Sequence, residues 1–144
     1  IDSDNVLLLR APSSAAEFKL GNGWPGQDKV EPAGLVVASI YPFSIAMPEI
    51  VATFESEVKP RLANAAIPLL AWFTPEAAAN NFPGLPVREG ERVLVLFTRF
   101  VNEANHAAQQ AAMDNAHAPL SKWLSGEPEV LRLKPTSRSL MPAR

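Results

Sequence analysis

The sequence contains no cysteine, which excludes a disulfide framework, a thiolate nucleophile and a Cys-ligated zinc site. It also lacks a surplus of positive charge: 13 Lys and Arg stand against 15 Asp and Glu, for a formal net charge of −2. Without a basic excess there is no electrostatic footprint for nucleic acid or an anionic lipid surface, and neither is expected as a partner. The longest apolar runs are strand-sized, far below the roughly 20 residues a bilayer span requires. Residues 1–10 do not show the basic-then-apolar pattern of a signal peptide. No P-loop, GxGxxG or GxSxG pattern occurs, so no cofactor, metal or nucleophile is expected from motifs. A cytoplasmic location fits the missing cysteines. With 144 residues, the chain is long enough for one domain with a real core and too short for two.

What is present begins with an apolar run, Val6, Leu7, Leu8 and Leu9, which reads as a strand and stops in Ala-Pro-Ser-Ser. Near the other end EVLRLKPTS (129–137) repeats the pattern of NVLLLRAPSS (5–14), with apolar residues, a basic residue and a Pro/Ser exit nearly in register. Residues 1–10 are therefore expected to be the terminal strand of an upstream module. This strand must pair on its own domain's edge or on a partner's sheet. Residues 11–33 are broken by Pro12, Gly21, Gly23, Pro25, Gly26 and Pro32, keep no periodicity, and are expected to be a linker. GNGWPG within it lacks a strand-to-helix context and reads as a turn. Phe18 and Trp24 are large for an idle linker and are expected to dock on the domain that follows, 34–144.

Within that domain the order of elements is legible. LVVASIYPF (35–43) is rich in β-branched and aromatic residues and predicts a strand. Met47, Ile50, Val51, Phe54, Val58 and Leu62 recur at three- and four-residue spacing and predict an amphipathic helix with Pro48 in its first turn. Pro60 is expected to kink or end it. IPLLAWF (67–73) and RVLVLFTRFV (92–101) predict two further strands, 102–116 an Ala-rich helix, PLSKWLSG a short helix anchoring Trp123, and 129–134 the last strand. This order, βαββαβ, predicts an α+β, ferredoxin-like sandwich. Its strands are apolar on both alternating sets, as in Val36, Ala38 and Ile40 against Leu35, Val37 and Tyr41. Two helices cover one face of such a sheet, so the other is expected to pack on a partner sheet, giving a dimeric α+β barrel.

GLVVASIY, FESEVKPRLANAA, NNFPGLPVREGERVLVLFTRF and EVLRLKPTSRSL resemble the C-terminal module of bacterial NIPSNAP-family proteins, over roughly residues 34–140. NNFPGLPVREGERV is the most distinctive of these segments, and nearly all of the first of the family's two modules is absent from this chain. The resemblance implies a dimeric α+β barrel and brings no catalytic residue that can be placed here. Related barrels include monooxygenases and haem-degrading enzymes, a likeness of fold that does not transfer a reaction.

No catalytic constellation stands out. His106 and His117 lie eleven residues apart on one predicted helix, about 16 Å along its axis, and cannot share a metal ion within the chain. They read as solvated or internally satisfied. Glu55 and Glu57 do not face each other on a helix, and Glu89 and Glu91 belong to a polar turn. Tyr41, Trp72 and Arg99 are the candidate ligand-binding residues, because each interrupts or ends an aliphatic strand with an orienting polar group. The Arg99 guanidinium suits a carboxylate held bidentately. The plain alternative makes Tyr41 and Trp72 core aromatics and leaves Arg99 paired or solvated. NNFPGLPVREGE is expected to be an ordered connection, longer than a hairpin needs.

Three functions follow. The first is a self-associating, homodimeric domain, or one that pairs with its upstream module, binding a small hydrophobic ligand without cofactor. The others are a barrel monooxygenase or isomerase acting on a small hydrophobic substrate, and an adaptor using exposed Phe18 and Trp24.

Overall fold

The β-branched and aromatic runs form a five-stranded sheet, and the amphipathic segments form helices on one of its faces. The computed structural model describes residues 6–19, 34–76 and 90–136. Its strands are β1 (Leu9–Arg10), β2 (Leu35–Pro42), β3 (Leu69–Pro75), β4 (Val93–Phe100) and β5 (Glu129–Leu133), in spatial order β1-β3-β4-β2-β5. Every pairing is antiparallel, and β2 lies against β4 from Leu35↔Phe100 to Pro42↔Val93. Without β1, the strand order and the two helical crossovers are those of the ferredoxin-like fold.

The first crossover runs through α1 (Met47–Thr53), a π-helical turn (Phe54–Val58) and α2 (Lys59–Asn64). Pro48 and Glu49 occupy its first turn, where a missing amide costs nothing and a carboxylate meets the positive end of the helix dipole. Pro60 does not end the helix. The turn before it widens, so that the Lys59 amide reaches back five residues to the Phe54 carbonyl, and the proline ring avoids the clash a regular α-turn would impose. Ala66, at φ 57°, closes α2 in the left-handed conformation, with the Ile67 amide returning 3.0 Å to the Leu62 carbonyl. The second crossover is α3 (Glu103–Ala108), α4 (Gln110–His117) and a 3-10 turn (Ala118–Trp123). Asn102 caps α3 by accepting from the Asn105 amide at 2.8 Å, and the Asn105 side chain accepts from the Val101 amide at 3.1 Å.

Ile50, Phe54, Val58 and Leu62, at four-residue spacing, are at most 1% exposed and pack with Leu35, Val37, Tyr41, Leu94, Leu96 and Trp72. Met113, Ala116 and Leu120 complete this core from the second crossover. Burying each such aliphatic side chain contributes roughly 1.5–3 kcal/mol.

The run at 6–9 pairs later and more briefly than its composition predicts. β1 contributes Leu9↔Pro75 and Arg10↔Thr74 on the outer edge of β3, reinforced by an Arg10–Glu76 ion pair at 3.1 Å. Pro75 has no amide to give, so the ladder closes there and continues only as the Glu76 amide bonding the Leu8 carbonyl at 2.7 Å. Of the two possible partners, the strand takes its own domain's edge.

The second sheet face is covered within the single chain over β2, β3 and β4, but not at β5. Val36, Ala38, Ala71, Val93 and Val95 are 1–3% exposed. Part of the cover is Phe18, whose ring centroid lies 4.8 Å from that of Phe97 and 5.7 Å from that of Phe73. This face therefore does not require a second sheet over the ground that Phe18 occupies. Trp24, GNGWPG and most of NNFPGLPVREGE lie outside the described residues. At the other edge β5 is exposed along its whole length, with Val130, Leu131 and Leu133 42–49% exposed. Among the described residues no helix is long and apolar enough to cross a membrane.

Candidate functional site

A cleft of about 270 Å³ opens where α3 and α4 cross the β2–β5 side of the sheet. Strand alternation turns Ser39 and Tyr41 toward it from β2 and Val130 from β5, which pair as Ser39↔Val130. The helices present His106, Asp114 and His117. Three helical turns separate the two histidines and return them to one face, with the short irregularity at Gln109 between them. The His117 ring lies 5.3 Å from that of Tyr41, and the His106 ring 4.7 Å from that of Phe100.

Burial dominates the electrostatics of all three aromatic groups. The Tyr41 phenol, 3% exposed, is pushed up to about 12 by burial, with Asp114 adding and a hydrogen bond from Ser39 opposing. It stays a protonated donor at neutral pH. His117 is pushed down by burial, against the pull of Asp114 and the Met113 carbonyl. Among the described residues its buried Nδ1 has no partner in good hydrogen-bond geometry, although the Met113 carbonyl is close enough to act on the ring. His106 is likewise pushed down, by burial first and then by Arg132, with Glu103 opposing. Both imidazoles are thus uncharged near neutrality, each with one donating and one accepting nitrogen. Gln110 donates to the Asp114 carboxylate at 3.0 Å and fixes it along α4. Together these groups can orient an uncharged molecule by one or two hydrogen bonds, with Met113, Pro128 and Val130 for its apolar part. Among the described residues no group of three or more His, Asp or Glu is placed to hold a metal ion.

The three residues singled out from sequence are not brought together. Tyr41 lines this cleft. Trp72 borders a second, shallower one of about 330 Å³ with Lys59, Ile67 and Leu69, and packs its ring 4.5 Å from Phe54 as a core residue. Arg99 lies on the opposite face of the sheet, across from Val36. The sequence placed His106 and His117 on a similar helix face, yet it gave no sign that this face borders a cleft. That depends on Glu127 and Pro128 closing its rim ahead of β5, a tertiary relation without a local signal.

No protein-family model matches the chain, and no curated protein matches it. Two solved structures are similar. A protein of unknown function from Nitrosomonas europaea is 22% identical, with a TM-score of 0.44 over 73% of this chain and 91% of that one. A dimeric ferredoxin-like protein of unknown function from Thermobifida fusca is 16% identical, with a TM-score of 0.45 over 81% of this chain and 98% of that one.

Proposed function

We propose that this chain is a NIPSNAP-type, ferredoxin-like binding domain that holds a small, uncharged molecule with polar and apolar parts in the cleft beneath α3 and α4. The observation that carries this reading is the convergence there of a protonated phenol and an uncharged imidazole, 5.3 Å apart, in a cleft where Met113, Pro128 and Val130 alternate with polar side chains. The NIPSNAP assignment rests on the quoted segments together with the fold. Calorimetric titration with 2-naphthol, a neutral aromatic alcohol, tests the cleft. Binding that weakens about tenfold in both Tyr41→Phe and His117→Ala supports it, and binding indifferent to both substitutions removes the cleft from the account.

The domain also associates with a second copy along its sheet, on this reading through β5, where Val130, Leu131 and Leu133 form an apolar edge strand with no partner on its outer side among the described residues. Light scattering coupled to size exclusion checks it: a dimer that becomes a monomer in Leu131→Lys supports the edge, and a monomer from the outset contradicts it. The upstream module stays part of the proposal, supported by the echo between 5–14 and 129–137.

One feature favours a second reading, an isomerase acting on the same class of molecule. A phenol that keeps its proton lies beside an uncharged imidazole at 5.3 Å, a donor and a base within reach of one substrate. Exchange of the α-hydrogens of cyclohexanone into D2O, lost in His117→Ala, supports that reading, whereas binding without exchange leaves the binding domain.

A further inference from the structure

The sheet face away from the helices holds a charged side chain that has no partner among the described residues. Arg99 is 8% exposed, and its Nε, Nη1 and Nη2 are all buried with no hydrogen-bond partner among those residues. β4 places it opposite Val36, beside Phe97 on its own strand, with Leu133 on the far side of Val36. Its immediate setting on the face is apolar. Gly34 flanks it: a Cβ there would lie 4.0 Å from Nε and 3.3 Å from the Phe100 carbonyl, and its φ of 114° disfavours any side chain. Position 34 thus adds no side-chain atoms beside the guanidinium.

A guanidinium keeps its charge at any pH a protein survives and carries five donors in a planar fork. Buried without an acceptor, such a group is strongly unfavourable, and the remedy matched to its geometry is a carboxylate accepting two parallel hydrogen bonds. A doubly charged phosphate would be left in an apolar setting with excess charge. A monocarboxylate is neutralised by the single cation, and its hydrocarbon body can lie against Leu131 and Leu133, the exposed leucines of β5 on the same face. We propose that Arg99 is the recognition residue of a second binding site, on the face opposite the cleft, for a monocarboxylate with an apolar body. The site is independent of the cleft reading, because the sheet separates the two.

The carboxylate comes from a free acid, and the alternative source is an acidic side chain of a second copy. Calorimetric titrations with octanoate and with octanamide, its uncharged isostere, distinguish them. The expected result is octanoate binding at least tenfold tighter than octanamide to the unaltered protein, a preference abolished in Arg99→Gln and partly kept in Arg99→Lys. Equal affinity for the two compounds overturns the proposal without relying on any variant. A preference that survives Arg99→Gln and disappears in Tyr41→Phe also overturns it, by placing the acid in the cleft. A dimer that dissociates in Arg99→Gln, with no octanoate preference in the unaltered protein, overturns it in favour of a carboxylate from the second copy.

Discussion

Removing the Phe18 ring separates a docked side chain from an adaptor's free anchor. Phe18 is half-buried, with its ring against Phe97 at 4.8 Å and Phe73 at 5.7 Å. Truncating a fully buried Phe to Ala costs about 3–5 kcal/mol. Phe18 keeps part of its surface in solvent, which puts Phe18→Ala at the low end of that range, about 3 kcal/mol. For a domain of this size the melting temperature should fall by roughly 10 °C. Urea unfolding measures the loss directly, provided the slope with denaturant stays the same. Phe18→Leu keeps most of the apolar area and loses the ring geometry, so about 1 kcal/mol is expected. A double-mutant cycle with Phe97→Ala should return a coupling above 0.5 kcal/mol, as for groups in contact. A change below about 0.5 kcal/mol in Phe18→Ala would refute the docking and revive an exposed, partner-seeking aromatic.

Tyr41 is the chain's one tyrosine, so absorbance near 295 nm reads its titration alone. Ionisation is expected only near pH 12, and a step near pH 10 in the folded protein contradicts its burial. The folded phenol holds its proton longer than the unfolded one, so stability is full below pH 10 and is lost between pH 10 and 12, on the order of 2–3 kcal/mol. For His106 and His117 the sign is opposite. Their folded values lie below 6.5, so their contribution is present above pH 6.5 and is lost as pH falls through the folded values. His117→Gln should flatten that acid limb in pH-dependent unfolding, and an unchanged limb contradicts the burial of this imidazole. Ala66→Gly should raise stability by about 1 kcal/mol in urea unfolding, because alanine at φ 57° pays a steric cost that glycine does not; a destabilisation would show that this turn is not left-handed.

The strands at 35–42 and 93–100 were legible because both alternating residue sets are apolar and β-rich, a pattern that central strands of a covered sheet require. The first helix was legible from its four-residue spacing. Its response to Pro60 was not, since a widened turn and a kink relieve the same clash and the sequence does not choose between them. Covering the second face was correctly seen as necessary, and the docking of Phe18 was expected from the size of its side chain, but that its ring would supply part of this cover is a long-range contact with no periodic trace. The same limit applied to the candidate residues. Tyr41 and Arg99 fall on opposite faces because their strands pair as Tyr41↔Leu94 and Val36↔Arg99, and register is a property of the pair of strands. His106 and His117 were visible as residues but not as walls of a cleft, because the opposite wall comes from Ser39, Tyr41 and the approach to β5.

The cleft beneath α3 and α4 is tested most directly by heteronuclear NMR of the imidazole and phenol groups during titration with 2-naphthol. The account predicts saturable shifts at the His117 ring and at Tyr41, with the resonances of Phe18 and Trp72 still. No saturable shift at His117 or Tyr41, or shifts confined to the Trp72 side of the domain, would contradict it.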